Sequence, residues 1–302
     1  MGGNRQVANR PLLDPAFLAK LEKLTLEWRD RFTGPGGGSK TSHHRGAGQE
    51  FFEHRHFRSG DDFRTVDWRA YMRFETLFLK TFQLEPRVPM RLLLDVSASM
   101  NTDGADEPAK FDYARVLAAA LTYIALIQLD SILLQPFSDR LHRPEIASGG
   151  RQHFASAERY LRELRASGRT DFLPVAREFL QRYPRRGLVI IISDFFEDSG
   201  RLSPLQEIAM SGHELMLVQL WSEEDRQPPG EGDLELTDAE SGMTLMLALD
   251  EAARQAYTNA FDRHASQVRE LAARHEGRYT AVSTGMPVEE VIFGPLALGR
   301  KP

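Results

Sequence analysis

Two kinds of hydrophobic pattern take turns along this chain. Arg91 to Leu94, Ser131 to Phe137, Gly187 to Ser193 and His213 to Trp221 are short, mostly apolar runs with little alternation. Such runs are too short for buried helices and predict strands covered on both faces, as in a parallel sheet. Between them, Phe111 to Leu129 is apolar nearly all round and predicts a buried helix, opened by Asp106-Glu107-Pro108. Residues 152–166, 173–183, 201–211 and 250–275 predict helices, and a short last one begins at Pro287. Leu141 to Ile146 predicts a short polar strand, residues 234–247 a hairpin, and Arg278 to Val282 a final strand. Strands alternating with helices imply an α/β class, a Rossmann-like doubly wound, mainly parallel sheet with helices on both faces.

The front of the chain is patterned differently. Residues 13–33 predict a helix, with Asp14 as its cap, Pro15 at its first position and Leu18, Leu21, Leu24 and Leu26 along one face. The breaker cluster Gly34 to Thr41 nearly matches a phosphate-cradling loop, but Ser39 takes the place of the last glycine. It also follows a polar helix instead of a buried strand, so it reads as a linker. Beyond it, Phe52, His54, His56 and Arg58 alternate with Phe51, Glu53, Arg55 and Phe57. A turn follows at Ser59-Gly60-Asp61-Asp62, and Thr76 to Leu84 predicts another strand. The expected organisation is a helix, a Gly-rich linker and a β-rich extension over 1–87, then the α/β domain over 88–302.

Composition narrows the classes. The chain has no cysteine, which excludes disulfides, thiolate metal sites and cysteine nucleophiles and points to a reducing cytoplasm. The longest apolar block, Val116 to Ile127, falls short of the ~20 residues needed to span a bilayer. Met1-Gly-Gly-Asn-Arg lacks the apolar core of a secretory signal, so the expectation is a cytoplasmic protein without a membrane span. Residues 1–90 hold 15 Lys and Arg against 11 Asp and Glu, too sparse a basic surface for a nucleic-acid binder.

The candidate chemistry sits where strands give way to loops. Asp95, Ser97 and Ser99 stand at alternate positions past the first buried strand, Thr170 lies in the loop Ser167 to Asp171, and Asp194 ends the strand Gly187 to Ser193. In an open α/β sheet the carboxyl ends of the strands form the ligand crevice. Two carboxylates and three hydroxyls are hard oxygen donors and suit Mg²⁺ (or Mn²⁺ or Ca²⁺) better than zinc. Taken singly, each residue reads more simply as a helix or turn cap; five in register favour a metal site. With hydroxyls dominating the inner shell, such an ion stays electron-poor and seeks an acid from another molecule. The competing reading is a metal-dependent hydrolase using Asp61, Asp62, His54 and His56. No G-x-S-x-G or H-E-x-x-H occurs, and Ser97 stands where an aspartyl phosphatase needs its general acid.

Asp95-x-Ser97-x-Ser99 followed by Thr170 and Asp194 resembles the metal-ion-dependent adhesion site (MIDAS) of von Willebrand factor type A (vWA) domains. That resemblance implies that the serines and the threonine ligate the ion, that the aspartates act directly or through water, and that a partner's Glu or Asp supplies the last ligand. A second stretch, Arg45-Gly46-x-Gly48-x-Glu50-Phe51 and Arg55-x-Phe57-x-x-Gly60-Asp61-Asp62-x-Arg64-x-x-Asp67-Trp68-Arg69-x-Tyr71, resembles the bacterial domain-of-unknown-function family fifty-eight. Members carry it ahead of a type A domain and are linked with MoxR-type AAA+ ATPases thought to act as chaperones or assembly factors. Two departures stand out: Phe57 replaces an expected Tyr, and the N-terminal membrane helices of many members are missing, which favours a soluble form. The implied function is a protein-binding module working with such an ATPase or its client.

Overall fold

The computed structural model describes residues 11–32, 45–46, 50–56, 66–83, 89–102, 107–128, 131–148, 150–197, 202–230 and 232–296. In chain order the elements are α1 (Pro15–Phe32), β1 (Arg45–Gly46), β2 (Glu50–His56), α2 (Trp68–Phe74), β3 (Phe78–Gln83), β4 (Met90–Asp95) and α3 (Lys110–Gln128). Next come β5 (Ser131–Phe137), β6 (Glu145–Ser148), α4 (Phe154–Glu163), α5 (Phe172–Arg182), β7 (Leu188–Ser193), α6 (Ser203–Met210) and β8 (Glu214–Trp221). The last are α7 (Glu223–Arg226), β9 (Gly232–Thr237), β10 (Thr244–Leu249), α8 (Glu251–Arg274), β11 (Arg278–Ser283) and α9 (Val288–Phe293).

Six strands form the main sheet in the order β11-β8-β7-β4-β5-β6. Every pairing is parallel except that of β6, which runs antiparallel to β5 at the edge. This is the expected doubly wound, mainly parallel α/β sheet. The winding reverses at β4, which has β5 on one side and β7 on the other, so the switch-point crevice opens between the ends of β4 and β7.

Side-chain alternation divides the core in two. Leu92, Leu94, Ile190 and Ile192 face a layer built from α1, α3, α4 and α9. Leu93, Val189 and Ile191 face the opposite layer of α5, α6 and α8. Each fully buried aliphatic side chain contributes roughly 1.5–3 kcal/mol, so β4 and β7 are held rigidly from both sides and fix the rim above them. Through Phe17 and Leu21, and Leu13 just ahead of it, α1 belongs to the same core as α3.

A second unit consists of β1, β2, β3 and α2. Its antiparallel sheet, in the order β1-β3-β2, is the expected β-rich extension. The pattern did not predict α2, whose seven residues are too few to show a period; Asp67 caps it by accepting from the Ala70 N–H at 3.2 Å.

Two local expectations shift. The predicted strand Leu141 to Ile146 is displaced to β6, because the chain first turns at Ser138 to Arg140 and only Leu141 bridges back to Phe137. Just past β8, where the pattern predicts no element, the chain forms α7, nucleated by a capping box between Ser222 and Asp225. The Gly34 to Thr41 linker lies outside the described residues, as do Asp61, Asp62 and the side chains of His54 and His56. No helix among the described residues is long and apolar enough to cross a membrane.

Candidate functional site

The carboxyl ends of β4 and β7 and the loop before α5 meet at one rim. Asp95, the last residue of β4, is fully buried. Its Oδ1 accepts from the Ser97 N–H at 2.9 Å, and its Oδ2 accepts from Ser193 Oγ at 2.6 Å and Thr170 Oγ1 at 3.4 Å. Burial, and after it the charge of Asp194, pushes the Asp95 carboxyl up to about 7.

Ser97 ends the extended backbone ahead of a 3-10 turn over Ala98–Asn101, and its hydroxyl makes no capping bond. Instead Ser97 Oγ lies 3.0 Å from Ser99 Oγ. Backbone bonds stitch this loop to its neighbours: Val96 N–H donates to the Phe137 carbonyl, Ala98 N–H to Gly168, and Ser167 N–H to Val96. The Thr170 loop is thereby locked against the first.

Thr170 is free to face the rim because its neighbour does the capping. Asp171 is the N-cap of α5 and accepts from the Leu173 N–H at 2.9 Å. On the other side of the rim Asp194 is fully buried, accepting from the Phe196 N–H at 3.2 Å and from Lys110 Nζ at 2.9 Å. The backbone just past Asp194 is strained: Phe195 has φ of +60°, a left-handed conformation that costs a residue with Cβ about 1–2 kcal/mol. Burial of its ring against Phe172 and the bond from its N–H to Ser193 Oγ offset that cost.

All five residues singled out in the sequence thus gather at one rim. Three others join them that sequence reasoning missed. Ser193 holds Asp95; the signal was only its place beside Asp194 at a strand end. Lys110 is buried in the first turn of α3, where the helix dipole disfavours a cation, and that mismatch was the available signal. It also reaches Asp225 at 3.2 Å. Burial works against its charge, but Asp194 and Asp225 outweigh burial and hold the ammonium above its usual range. The third is Glu240, in the turn between β9 and β10, with its carboxyl raised by burial; nothing local marked it.

Among the described residues, the carboxyls of Asp95, Asp194, Asp225 and Glu240 and the ammonium of Lys110 stand around this rim. Among the described residues no three carboxylates or imidazoles form a cation cage, so an ion held here would take its ligands largely from hydroxyls. The donor set of Ser97, Ser99 and Thr170 hydroxyls with Asp95 and Asp194 is all oxygen and fits a hard divalent cation.

The family described as "Protein of unknown function DUF58" matches residues 53–267. The uncharacterized protein Rv1480 of Mycobacterium tuberculosis and the uncharacterized protein Mb1516 of Mycobacterium bovis are each 29% identical over 267 residues, covering 84% of this chain and 81% of theirs. Among solved structures, the conserved hypothetical protein BatB from Bacteroides thetaiotaomicron is 18% identical, with 70% of this chain and 97% of that one covered and a TM-score of 0.46. The SpRpn10 VWA domain is 12% identical, with 71% and 100% covered and a TM-score of 0.39.

Proposed function

The chain belongs to the DUF58 family, and from that premise we propose that it is a metal-dependent protein-binding module. Asp95, Ser97, Ser99, Thr170 and Asp194 would hold Mg²⁺, or Mn²⁺ or Ca²⁺ in its place. The ion would supply a Lewis-acidic seat for a carboxylate from a partner protein. The observation that carries this reading is the contact of Thr170 Oγ1 with Asp95 Oδ2 across 75 residues of sequence, beside two serine hydroxyls 3.0 Å apart. The burial of Asp95 and Asp194 at one rim supports it as well, since burying like charges together is costly without a counter-ion.

The protein's residues have separable roles in this reading. Ser193 and the Ser97 N–H orient Asp95, and Lys110 orients Asp194. The backbone bonds among the loops hold the hydroxyls in place. The partner inferred from the family resemblance is a MoxR-type AAA+ ATPase or its client, presenting an exposed Glu or Asp, in a cytoplasmic assembly or remodelling role.

The test is stability against Mg²⁺ concentration. An ion that binds only the folded chain raises stability by about 2.7 kcal/mol at a hundredfold excess over Kd. Asp95→Ala is expected to cancel that gain; an equal gain in the variant would remove the ion from this rim. For the partner, wild type is expected to retain the ATPase in a Mg²⁺-dependent pull-down and Ser97→Ala to lose it.

A further inference from the structure

A carboxylate from elsewhere in the chain already rests on the proposed site. Glu240 accepts from the Thr170 N–H at 3.2 Å and from Thr170 Oγ1 at 3.3 Å, with the Ser99 hydroxyl beside it. It reaches there from 70 residues away in sequence. Two of the three hydroxyls assigned to the ion are therefore in its grasp.

The turn that carries Glu240 is tied by its own hydrogen bonds. The Asp238 carboxylate accepts from the Glu240 N–H at 3.2 Å and from both the N–H and the hydroxyl of Ser241. Gly242 closes the turn at φ of +71°, where a side chain would be strained. The strands behind the turn are anchored lightly. β9 and β10 pair only with each other, and of their residues only Leu249 is buried. A segment with so little burial opens at small cost compared with the sheet core. Glu240 is thus a firmly presented side chain on a loosely held arm.

Building on the metal-site reading above, we infer that Glu240 is an internal ligand of the site. Its carboxylate fills the seat that a partner's acid would take, and the β9–β10 arm must swing aside before a partner can bind. The physical consequence is selectivity. A tethered carboxylate acts at an effective concentration of the order of millimolar or more, so a lone free carboxylate competes poorly. A protein partner competes because it makes additional contacts, and only differential affinity for the open form shifts the equilibrium. The arm therefore keeps an electron-poor ion from picking up arbitrary acids.

Mn²⁺ provides the probe, using the full chain as wild type, Glu240→Gln and Asp95→Ala. Mn²⁺ affinity and the water-proton relaxation of the bound ion are measured with and without acetate. Glu240→Gln keeps the side-chain shape, and its fold is checked by circular dichroism. It is expected to bind Mn²⁺ about tenfold more weakly. Its bound ion should relax water more strongly, through an added water ligand, and should respond to acetate at concentrations that leave wild type unchanged.

Mn²⁺ binding that depends on Asp95 but is identical in wild type and Glu240→Gln, in affinity, relaxation and acetate response, would overturn the internal ligand and leave the metal site standing. Absence of any Asp95-dependent Mn²⁺ binding would overturn the metal site and the inference together.

Discussion

The two ends of β4 each bury a charge, and the protein treats them in opposite ways. At the start of the strand Arg91 is 5% exposed, its guanidinium 5.5 Å from the centre of the Tyr183 ring. Gly187 sits against it for want of space: a Cβ there would lie 2.3 Å from the Pro89 carbonyl oxygen and 2.5 Å from Arg91 Nη1. Burial pushes the Arg91 guanidinium down from its usual range, yet side chains close over it. At the other end Asp95 is surrounded by loops, hydroxyls and further carboxyls. A buried charge by itself therefore marks nothing. The difference lies in what surrounds it: one end pairs a cation with an aromatic face in tight packing, the other accumulates negative charge around a set of oxygen donors. On the proposed reading, only the second would gain from adding an ion.

That contrast can be broken by experiment. The largest effect is expected from Lys110→Met, which leaves Asp194 buried without its cation and should cost about 3–5 kcal/mol in the absence of divalent ions. Urea unfolding with and without Mg²⁺ measures it, and Mg²⁺ is expected to restore part of the loss. At the opposite end Gly187→Ala should cost about 1–3 kcal/mol through overcrowding. That loss should be the same with and without Mg²⁺; a Mg²⁺-dependent loss would show that the two ends communicate.

A smaller effect sharpens the same distinction through pH. His213, packed edge-on to Phe179 near Arg91, is buried, and burial followed by the charges of Arg91 and Arg186 pushes its imidazole below the ordinary 6.5. The folded state thus favours the neutral imidazole, while the unfolded chain protonates at about 6.5. Stability is present in full above that pH and is lost as pH falls below it, by at most about 1.4 kcal/mol per pH unit. His213→Gln is expected to flatten this part of the pH–stability profile, as read from urea midpoints between pH 7 and 5. An unchanged slope would assign the loss to other groups.

How much of this was legible beforehand depended on the range of the interaction concerned. β4, β5, β7 and β8 announce themselves because strands buried on both faces need apolar side chains at nearly every position, a requirement visible within seven or eight residues. Asp95, Ser97 and Ser99 were visible for the same reason, sharing one loop at the end of one strand. Thr170 and Asp194 came into view through their places in a recognised pattern of loops. α2 was missed because a two-turn helix stabilised by one cap leaves no periodic trace.

Local patterning of apolar and polar residues was thus enough to specify the buried strands, the class of sheet and the rim where the five candidate residues meet, since each depends on which face a residue must bury. The partners across that rim are another matter. Lys110 on Asp194, Ser193 on Asp95 and Glu240 on Thr170 bring together side chains 84, 98 and 70 residues apart. No local preference encodes such meetings. They exist because a rigid twisted sheet sets where its loops end, and that follows from the packing of the whole chain.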